Sequence, residues 1–230
     1  MAKTDPYVIT IDGASGSGKG SLALQIARKL GFHLLDSGAI YRLAALSALR
    51  QEVDLSEEAN VLAAIQDLDI RFEPGEELSI PFLDNEDVSA QIRQESTGSA
   101  ASVIAAYAGV RRQLLGLQRA CFKPPGLVAD GRDMGTIVFP EAKFKLFLYA
   151  PVEIRALRRY KQLINMGMSA NIDGLRTEIS ERDERDRNRT ESPLVPASDA
   201  LVVDSSLLDL EQVTDLVMSH IEEELQNQSL

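Results

Sequence analysis

Cysteine is nearly absent from this sequence, since Cys121 is the only one in 230 residues. An intramolecular disulfide is therefore excluded, as is usual in a reducing cytosol, and we expect a cytoplasmic protein. No apolar run approaches the roughly 20 residues of a membrane-spanning helix. The first six residues lack the apolar segment of a signal peptide, so secretion is not expected either. Internal repeats and low-complexity tracts are also missing from the sequence.

Positive charge is scarce, because 24 Lys and Arg face 35 Asp and Glu, for a formal net charge of −11. This balance argues against non-specific binding to nucleic acid or to a membrane surface, which needs a basic footprint. An anionic substrate would have to be held by arginines clustered locally. The acidic surface also favours a monomer. The length, with 44% hydrophobic and 26% charged residues, fits one sizeable α/β domain with small insertions.

A glycine-rich stretch lies between an apolar run at 7–12 and a helical pattern that reaches about Leu30 and stops at Gly31. It matches seven of the eight positions of G-x-x-x-x-G-K-[ST]. Strand, loop and helix together are typical of a phosphate-binding loop, although a plain glycine-rich turn is the alternative. Backbone N–H groups and the helix N-terminus would face the phosphates. The predicted ATP-binding residues here are Gly13, Ala14, Ser15, Gly16, Ser17, Gly18, Lys19, Gly20 and Ser21.

Lys19 supplies a mobile cation for the β- and γ-phosphates. Gly20 stands where Ser or Thr normally binds Mg²⁺, and the hydroxyl comes one residue later, at Ser21. With the hydroxyl displaced, residues 18–21 resemble the G-K-G-[ST] of nucleoside-monophosphate kinases. It indicates Mg²⁺ held largely through water and substrate oxygens, which suits an ion that dehydrates reluctantly.

The next segments predict a short second strand, a helix and an inserted sheet. Ser37 is a plausible N-cap for a helix through Leu49, which explains Asp36 and Ser37 but leaves Arg42 unexplained. Short, partly alternating runs at 69–73, 78–83 and 86–88 predict a small antiparallel sheet. Residues 96–122 then carry one helical periodicity that includes Ser102 and Arg111. Arg111 and Arg112 could equally form a solvated face.

The second informative cluster is Asp130-Gly131-Arg132-Asp133, which follows a core strand at 127–129. Carboxylates and a guanidinium are costly to bury unpaired, and ligands of open parallel sheets bind at strand tips. A fourth strand is predicted at 144–149, and a helix at 152–165 carries Arg155, Arg158 and Arg159.

The segment from Ile172 to Arg189 predicts a charge-dense helix. It fits either a solvated helix with i,i+4 pairs or one cationic face containing Arg182, Arg185 and Arg189, with Asp186 beside them. A last strand at 201–204 and an amphipathic helix at 209–226 complete the chain. The order of elements predicts a P-loop NTPase-type, three-layer α/β fold with a mostly parallel central sheet, a small antiparallel three-stranded insert and a short helical lid.

Phosphoryl transfer requires two phosphates held in line and their charge neutralised. Arg42, Arg111 and Arg132 could hold a second anion opposite the loop, and arginines at 155–189 could close over it and exclude water. No general base is compelling. A phosphate-monoester acceptor is already anionic and needs none, which favours it over an alcohol.

Four motifs together resemble the bacterial cytidylate kinase family, over essentially residues 6–220. They are Ile9 to Gly20, Leu35 to Arg42, Asp130 to Thr136, and Glu181 to Arg189. The resemblance implies transfer of the ATP γ-phosphate to CMP or dCMP with Mg²⁺, within one kinase domain. It implies a core at about 1–36, 108–152 and 190–230, a nucleoside-monophosphate-binding part at about 37–107 that contains the insert, and a lid at about 153–189.

The resemblance also implies residue roles. Arg158 would join the ATP site, and Mg²⁺ would lie near Ser21 and, through water, Asp130, for which capping of the next turn is an equal alternative. Asp133 would accept from cytosine N4, and the Arg111 fork would suit N3 and O2. The implied catalytic residues are Lys19, Arg132, Arg182 and Arg189. The implied substrate-binding residues are Ser37, Arg42, Ser102, Arg111, Arg132, Asp133, Arg182, Asp186 and Arg189.

Two rival functions remain from the sequence. One is a kinase of the same fold that acts on UMP, AMP or a metabolite such as shikimate. The other is a nucleotide-dependent switch. A GTPase would normally show an Asn-Lys-x-Asp motif, and the sequence has none.

Overall fold

The computed structural model describes residues 7–73, 79–165, 167 and 169–227. The chain divides into two compact units, one formed by Met1–Leu35 and Cys121–Leu230 and the other by Asp36–Ala120. The prediction for the first six residues, and the first residue of the predicted run 78–83, fall outside the described residues. The three-part division into core, monophosphate-binding part and lid stays a prediction.

The first unit is built on a five-stranded sheet in the order β2-β6-β1-β7-β8. The pairs β1–β6, β1–β7 and β7–β8 are parallel, which confirms the mostly parallel sheet. The second unit contains an antiparallel sheet in the order β3-β4-β5, which confirms the insert. The strands are β1 (Tyr7–Gly13), β2 (His33–Asp36), β3 (Ile70–Glu73), β4 (Ile80–Leu83), β5 (Glu86–Asp87), β6 (Gly126–Gly131), β7 (Phe144–Tyr149) and β8 (Leu201–Asp204).

Helices connect these strands. Their bounds follow the sequence prediction closely except at 96–122. A π-helix at Met134–Val138 follows β6. The helices are α1 (Lys19–Leu30), α2 (Ser37–Arg50), α3 (Glu58–Ala64), α4 (Glu95–Ile104), α5 (Ala108–Ala120), α6 (Val152–Asn165), α7 (Ile172–Arg187) and α8 (Leu210–Asn227).

Alternate residues of β1 serve the two faces of the central sheet, as the two-residue period of a strand requires. Ile9 and Ile11 are fully buried in a cluster with α1, α8 and the neighbouring strands. Thr10 points the other way, toward Gly135 of the π-helix: a Cβ on Gly135 would lie 2.8 Å from the Thr10 hydroxyl. The π-helix therefore packs closely on the face of β1 opposite α1 and α8.

The predicted single helix at 96–122 is wrong, because the structure has two helices, α4 and α5. Two side chains stabilise the break. Arg111 donates to the carbonyl of Ala105 (3.1 Å), just beyond the end of α4. Glu58 accepts from the N–H of Gly109 (2.6 Å) in the first turn of α5. Both groups would lack a helical partner at a helix terminus, so one local contact and one contact distant in sequence, from Glu58, stabilise the break.

The N-cap of α2 also differs from the prediction. Asp36 is the N-cap, and its carboxylate accepts from the N–H of Ala39 at 3.0 Å. Ser37 is instead the first helical residue, and its hydroxyl donates to the Gln118 side chain at 2.9 Å. Capping therefore explains Asp36 but not Ser37.

Candidate active site

The phosphate-binding loop joins β1 to α1 and is shaped by its glycines. Gly16 and Gly18 have φ values of +76° and +96°, in the left-handed region that glycine adopts without penalty. Gly13 lies so close to β7 that a Cβ would be 2.3 Å from the Leu148 carbonyl oxygen. Gly18 is the N-cap of α1 and has no side chain to satisfy the first N–H groups of this helix. The loop thus presents the backbone donors that an anion requires.

Two charged side chains lie close to this loop: Lys19, and Asp130 near the end of β6. The Lys19 ammonium donates to the Ala14 carbonyl at 3.1 Å, across the loop. A Cβ on Gly20 would lie 3.1 Å from Oδ2 of Asp130. The Asp130 carboxylate therefore faces the first turn of α1, next to the position at which a hydroxyl is displaced to Ser21. A larger residue at Gly20 would press on this carboxylate.

Asp12 is a buried carboxylate that sequence reasoning did not single out. It is 4% exposed, and its two oxygens accept from the N–H groups of Met134 and Gly135, both at 2.8 Å. Burial raises the pKa of Asp12 to about 6, with the Asp133 charge adding to this, while the two N–H donors and Lys19 oppose the rise. Asp12 directly precedes the phosphate loop, and its side chain holds the turn that follows Asp133. The available signal was an acidic residue ending a buried strand, where it needs partners.

Asp186 brings together arginines from separate sequence motifs. It is 1% exposed, accepts from Nε of Arg132 at 2.9 Å, and forms a second ion pair with Arg189. Burial pushes the pKa of Asp186 upward, but the charges of Arg132, Arg189 and Arg182 outweigh burial and hold it below its usual value. The structure thus collects Arg132, Arg182, Asp186 and Arg189 into one charged cluster in the first unit, as anion binding requires.

Neighbouring parallel strands place the phosphate loop and this cluster at the same edge of the sheet. Asp12 on β1 is in register with Gly131, the last residue of β6, so Arg132 leaves the sheet beside the end of β1. Asp133 is buried and begins the turn into the π-helix. The carboxyl ends of parallel strands are where open α/β sheets bind ligands.

Arg155 and Arg158 of α6 contact the loop through its carbonyl groups. Arg155 donates to the Ser15 carbonyl at 2.8 Å, and Arg158 donates to the Ser17 carbonyl at 3.1 Å. Arg155 also pairs with Asp183 of α7, and the two side chains are only 3% and 5% exposed. Arg155 therefore differs from the prediction that it closes over the transferred group, because protein atoms occupy its guanidinium. Asp183 is one of many charged residues in its helix, and nothing in the sequence indicated that it pairs with Arg155.

A cavity of about 200 Å³ lies beside the phosphate loop, between α1 and the N-terminus of α8. Arg158 lines it and also donates to the Ser205 carbonyl at 2.5 Å. Burial lowers the pKa of Arg158. The other lining residues are Ser17, Gly18, Ser21, Leu22, Leu148, Ser205, Leu208, Asp209, Leu210 and Val213.

The remaining predicted substrate residues lie in the second unit, around Tyr41 and Arg42 of α2. Arg42 donates to the Ile92 carbonyl at 2.5 Å, and its guanidinium lies against Gly98 of α4. Arg111 of α5 lies 5.6 Å from the centre of the Tyr41 ring. Arg111 thus lies against the residue that precedes Arg42 in α2. Ser102 is buried on α4.

A phosphate-binding loop after the central strand, beside an arginine cluster that includes the residue following the parallel neighbour, is the arrangement of a P-loop kinase. The family model for cytidylate kinase matches residues 9–223 of this chain. The chain therefore belongs to the cytidylate kinase family.

Individual relatives agree with the family match. The cytidylate kinase of Aeromonas hydrophila is 54% identical over 218 residues, covering 95% of each chain. That of Photobacterium profundum is 51% identical over 226 residues, covering 98% of this chain and 99% of its own. Among solved structures, the crystal structure of TT1252 from Thermus thermophilus covers 94% of this chain and 98% of its own, at a TM-score of 0.42 and 19% identity.

The helices in the described part of the chain include none that is long and apolar enough to span a bilayer.

Proposed function

We propose that this protein transfers the γ-phosphate of ATP to CMP or dCMP, giving ADP and CDP or dCDP. The observation that carries this proposal is the register of β1 and β6, which starts the phosphate loop and the Arg132 turn from adjacent positions. A donor held by the loop would meet an acceptor held by the arginines. Positioning and charge neutralisation are most of what phosphoryl transfer asks of a protein.

The donor triphosphate would bind to the loop N–H groups and to the N-terminus of α1, with Lys19 moving from the Ala14 carbonyl to the β- and γ-phosphates. In that exchange Lys19 would give up one charged hydrogen bond, worth about 1.5–3 kcal/mol, for contacts with two anionic phosphates. The apolar walls of the cavity beside the loop, from Leu22, Leu148 and Val213, suit the faces of the ATP base. The Arg158 guanidinium could stack on that base.

Mg²⁺ would bind near Ser21 and Asp130. Hydroxyl and carboxylate oxygens are the hard ligands that this ion prefers, and the contact between Asp130 and Gly20 puts the carboxylate at the first turn of α1. The described residues contain no group of three or more His, Cys, Asp or Glu able to hold a metal. We therefore expect Asp130 to act through water, with the remaining ligands from phosphate oxygens. Bound Mg²⁺ would neutralise charge on the transferred group.

The acceptor phosphate would be held by Arg132 and Arg189, with Arg182 and Arg42 as further cations and Ser37 contributing a hydroxyl. Asp186 already fixes Arg132 and Arg189, so their guanidinium groups are preorganised. Each carboxylate oxygen can accept more than one hydrogen bond, which leaves Asp186 able to accept from a ribose hydroxyl.

The base would be read by Asp133, Arg111 and Ser102. Cytosine offers a donor at N4 and acceptors at N3 and O2, which complement a carboxylate and a guanidinium. Uracil has an acceptor at position 4 and would face the Asp133 carboxylate unpaired. A site built on hydrogen bonds rejects such a mismatch strongly. The monomeric state and the cytoplasmic location stay predictions.

The test is to identify the products formed from ATP, Mg²⁺ and CMP by ³¹P NMR. We expect ADP and CDP to form in equal amounts, with little inorganic phosphate. Inorganic phosphate released at one rate with and without CMP would instead favour a nucleotide-dependent switch and contradict the proposal.

A further inference from the structure

Arg155 makes polar contacts with three separate elements from a buried position behind the phosphate loop. Its Nε donates to the Ala150 carbonyl at the end of β7 (2.8 Å). One terminal nitrogen donates to the Ser15 carbonyl (2.8 Å) and to Oδ1 of Asp183 (3.1 Å), and the other to Oδ2 of Asp183. The guanidinium is therefore fixed by β7, the loop and α7 together.

The contact with Ser15 orients a peptide group of the loop. A trans peptide is planar, so the carbonyl of one residue and the N–H of the next point in opposite directions. By holding the Ser15 carbonyl, Arg155 turns the N–H of Gly16 to the other side of the loop, where the triphosphate is proposed to bind. A Cβ on Gly16 would lie 3.3 Å from the Cβ of Arg155, so Arg155 leaves little room beside this part of the loop.

The contact with Asp183 reaches the helix that carries the acceptor cluster. Asp183 lies next to Arg182 in sequence and one helical turn before Asp186, the residue that fixes Arg132 and Arg189. Residues three apart share a helix face. The chain of contacts from the Ser15 carbonyl through Arg155 to Asp183 thus runs from the phosphate loop to the arginine cluster.

Stability alone does not account well for this ion pair. A buried salt bridge often contributes no more to stability than an apolar pair of similar size, because desolvation offsets the attraction of the charges. A bidentate guanidinium–carboxylate pair does, however, fix geometry closely. Its position between the two ligand-binding parts of the unit favours a role in placing them.

We propose that Arg155 is a positioning residue that links the phosphate loop to α7, so that binding of a nucleoside triphosphate steadies the helix that carries Arg182 and Asp186. The proposal rests on the proposed function in one respect, namely that the loop binds a triphosphate. It extends that function by making the acceptor cluster depend on the donor.

The test variant is Arg155→Met combined with Asp183→Leu, which replaces the buried ion pair with an apolar pair and is expected to fold. The matched control is Arg176→Met combined with Glu153→Leu. Arg176 and Glu153 also join α7 to α6, but they lie 3.8 Å apart, are each 60% exposed, and contact no part of the loop in any described hydrogen bond. Arg155→Lys is a second test variant, because lysine keeps the charge but cannot hold the Ser15 carbonyl and both carboxylate oxygens in one plane.

The measurement is hydrogen exchange, without CMP, in the presence and absence of Mg²⁺ and a saturating non-hydrolysable ATP analogue. Peptides from residues 13–21 report binding, and peptides from 172–187 report α7. In the wild type and the control, we expect the analogue to slow exchange in both segments, by at least about fivefold in α7. In the double variant, the analogue should slow exchange at 13–21 but leave the exchange rate of α7 unchanged. Arg155→Lys should lose at least half of the α7 effect.

Two results would overturn the proposal. In one, the analogue slows exchange in α7 equally in the wild type and the double variant. In the other, the analogue does not slow exchange in α7 of the wild type. The proposed function fails separately. A wild type that binds the analogue but forms no CDP from CMP would contradict the kinase assignment and leave the exchange comparison valid.

Discussion

Replacing Asp12 with asparagine tests how the phosphate loop and the Arg132 turn are held together. The substitution preserves shape but leaves one oxygen to accept from two N–H groups, those of Met134 and Gly135. The other N–H then faces an amide nitrogen, which costs about 1–3 kcal/mol. Asparagine also removes a charge from a buried site, which offsets part of this cost.

The pKa of Asp12 gives the size and sign of the charge effect. The pKa is about 6 in the fold against an ordinary value of 3.8 for aspartate, so ionised Asp12 costs the fold about 3 kcal/mol at neutral pH. A carboxyl with a raised pKa favours folding when it is protonated. The wild type should therefore gain about 1 kcal/mol from Asp12 as the pH falls from 7 to 5. Asparagine does not titrate and should lack this gain.

The assay is denaturant unfolding of both proteins at pH 7, 6 and 5. At pH 7 the two effects nearly cancel, and we expect free energies of unfolding within about 2 kcal/mol of each other. Between pH 7 and pH 5 the free energy of unfolding of the wild type should rise by about 1 kcal/mol relative to that of the asparagine variant. Taking the difference cancels the other titrating groups. Two curves that stay parallel from pH 7 to pH 5 would refute the raised pKa and the burial that causes it.

Three further substitutions test the site. Lys19→Ala should lower kcat by about a hundredfold or more and shift Tm by only a few degrees, about 2–4 °C per kcal/mol lost, since Lys19 donates to Ala14 within its own loop; a collapse in Tm would mark Lys19 as structural. Asp133→Ala should raise KM for CMP at least about tenfold with little change in KM for ATP, and equal losses would remove Asp133 from the base site. Gly13→Ala forces a Cβ to 2.3 Å from the Leu148 carbonyl oxygen and should cost about 1–3 kcal/mol. Gly116→Ala, where a Cβ meets nothing within 4 Å, is its control and should be neutral or stabilising.

Much of the fold could be predicted because its signals are local. The phosphate loop follows from glycines between a strand and a helix, and α1 ends at Gly31, which has φ of +68°, as a C-cap glycine should. The cluster after β6 could be predicted because charged residues directly after an apolar strand lie at a sheet edge. The strands of the insert were indicated by short runs and turns.

The parts that could not be predicted depend on partners distant in sequence. The break between α4 and α5 is stabilised by Glu58, some fifty residues away, and helical periodicity carries no trace of it. Arg155 could be read as a ligand arginine because nothing in its own helix shows that Asp183 and Ser15 occupy it. Asp12 was overlooked because its two partners are backbone N–H groups, which any sequence provides.

The central claim is that this site phosphorylates a cytosine nucleotide and that Asp133 recognises its base. Its most direct test is the kcat/KM of the wild-type protein for CMP, dCMP, UMP and AMP, with ATP and Mg²⁺ held constant. We expect CMP and dCMP to exceed UMP and AMP by at least about tenfold. A kcat/KM for UMP or AMP that equals or exceeds that for the cytosine nucleotides would contradict the claim.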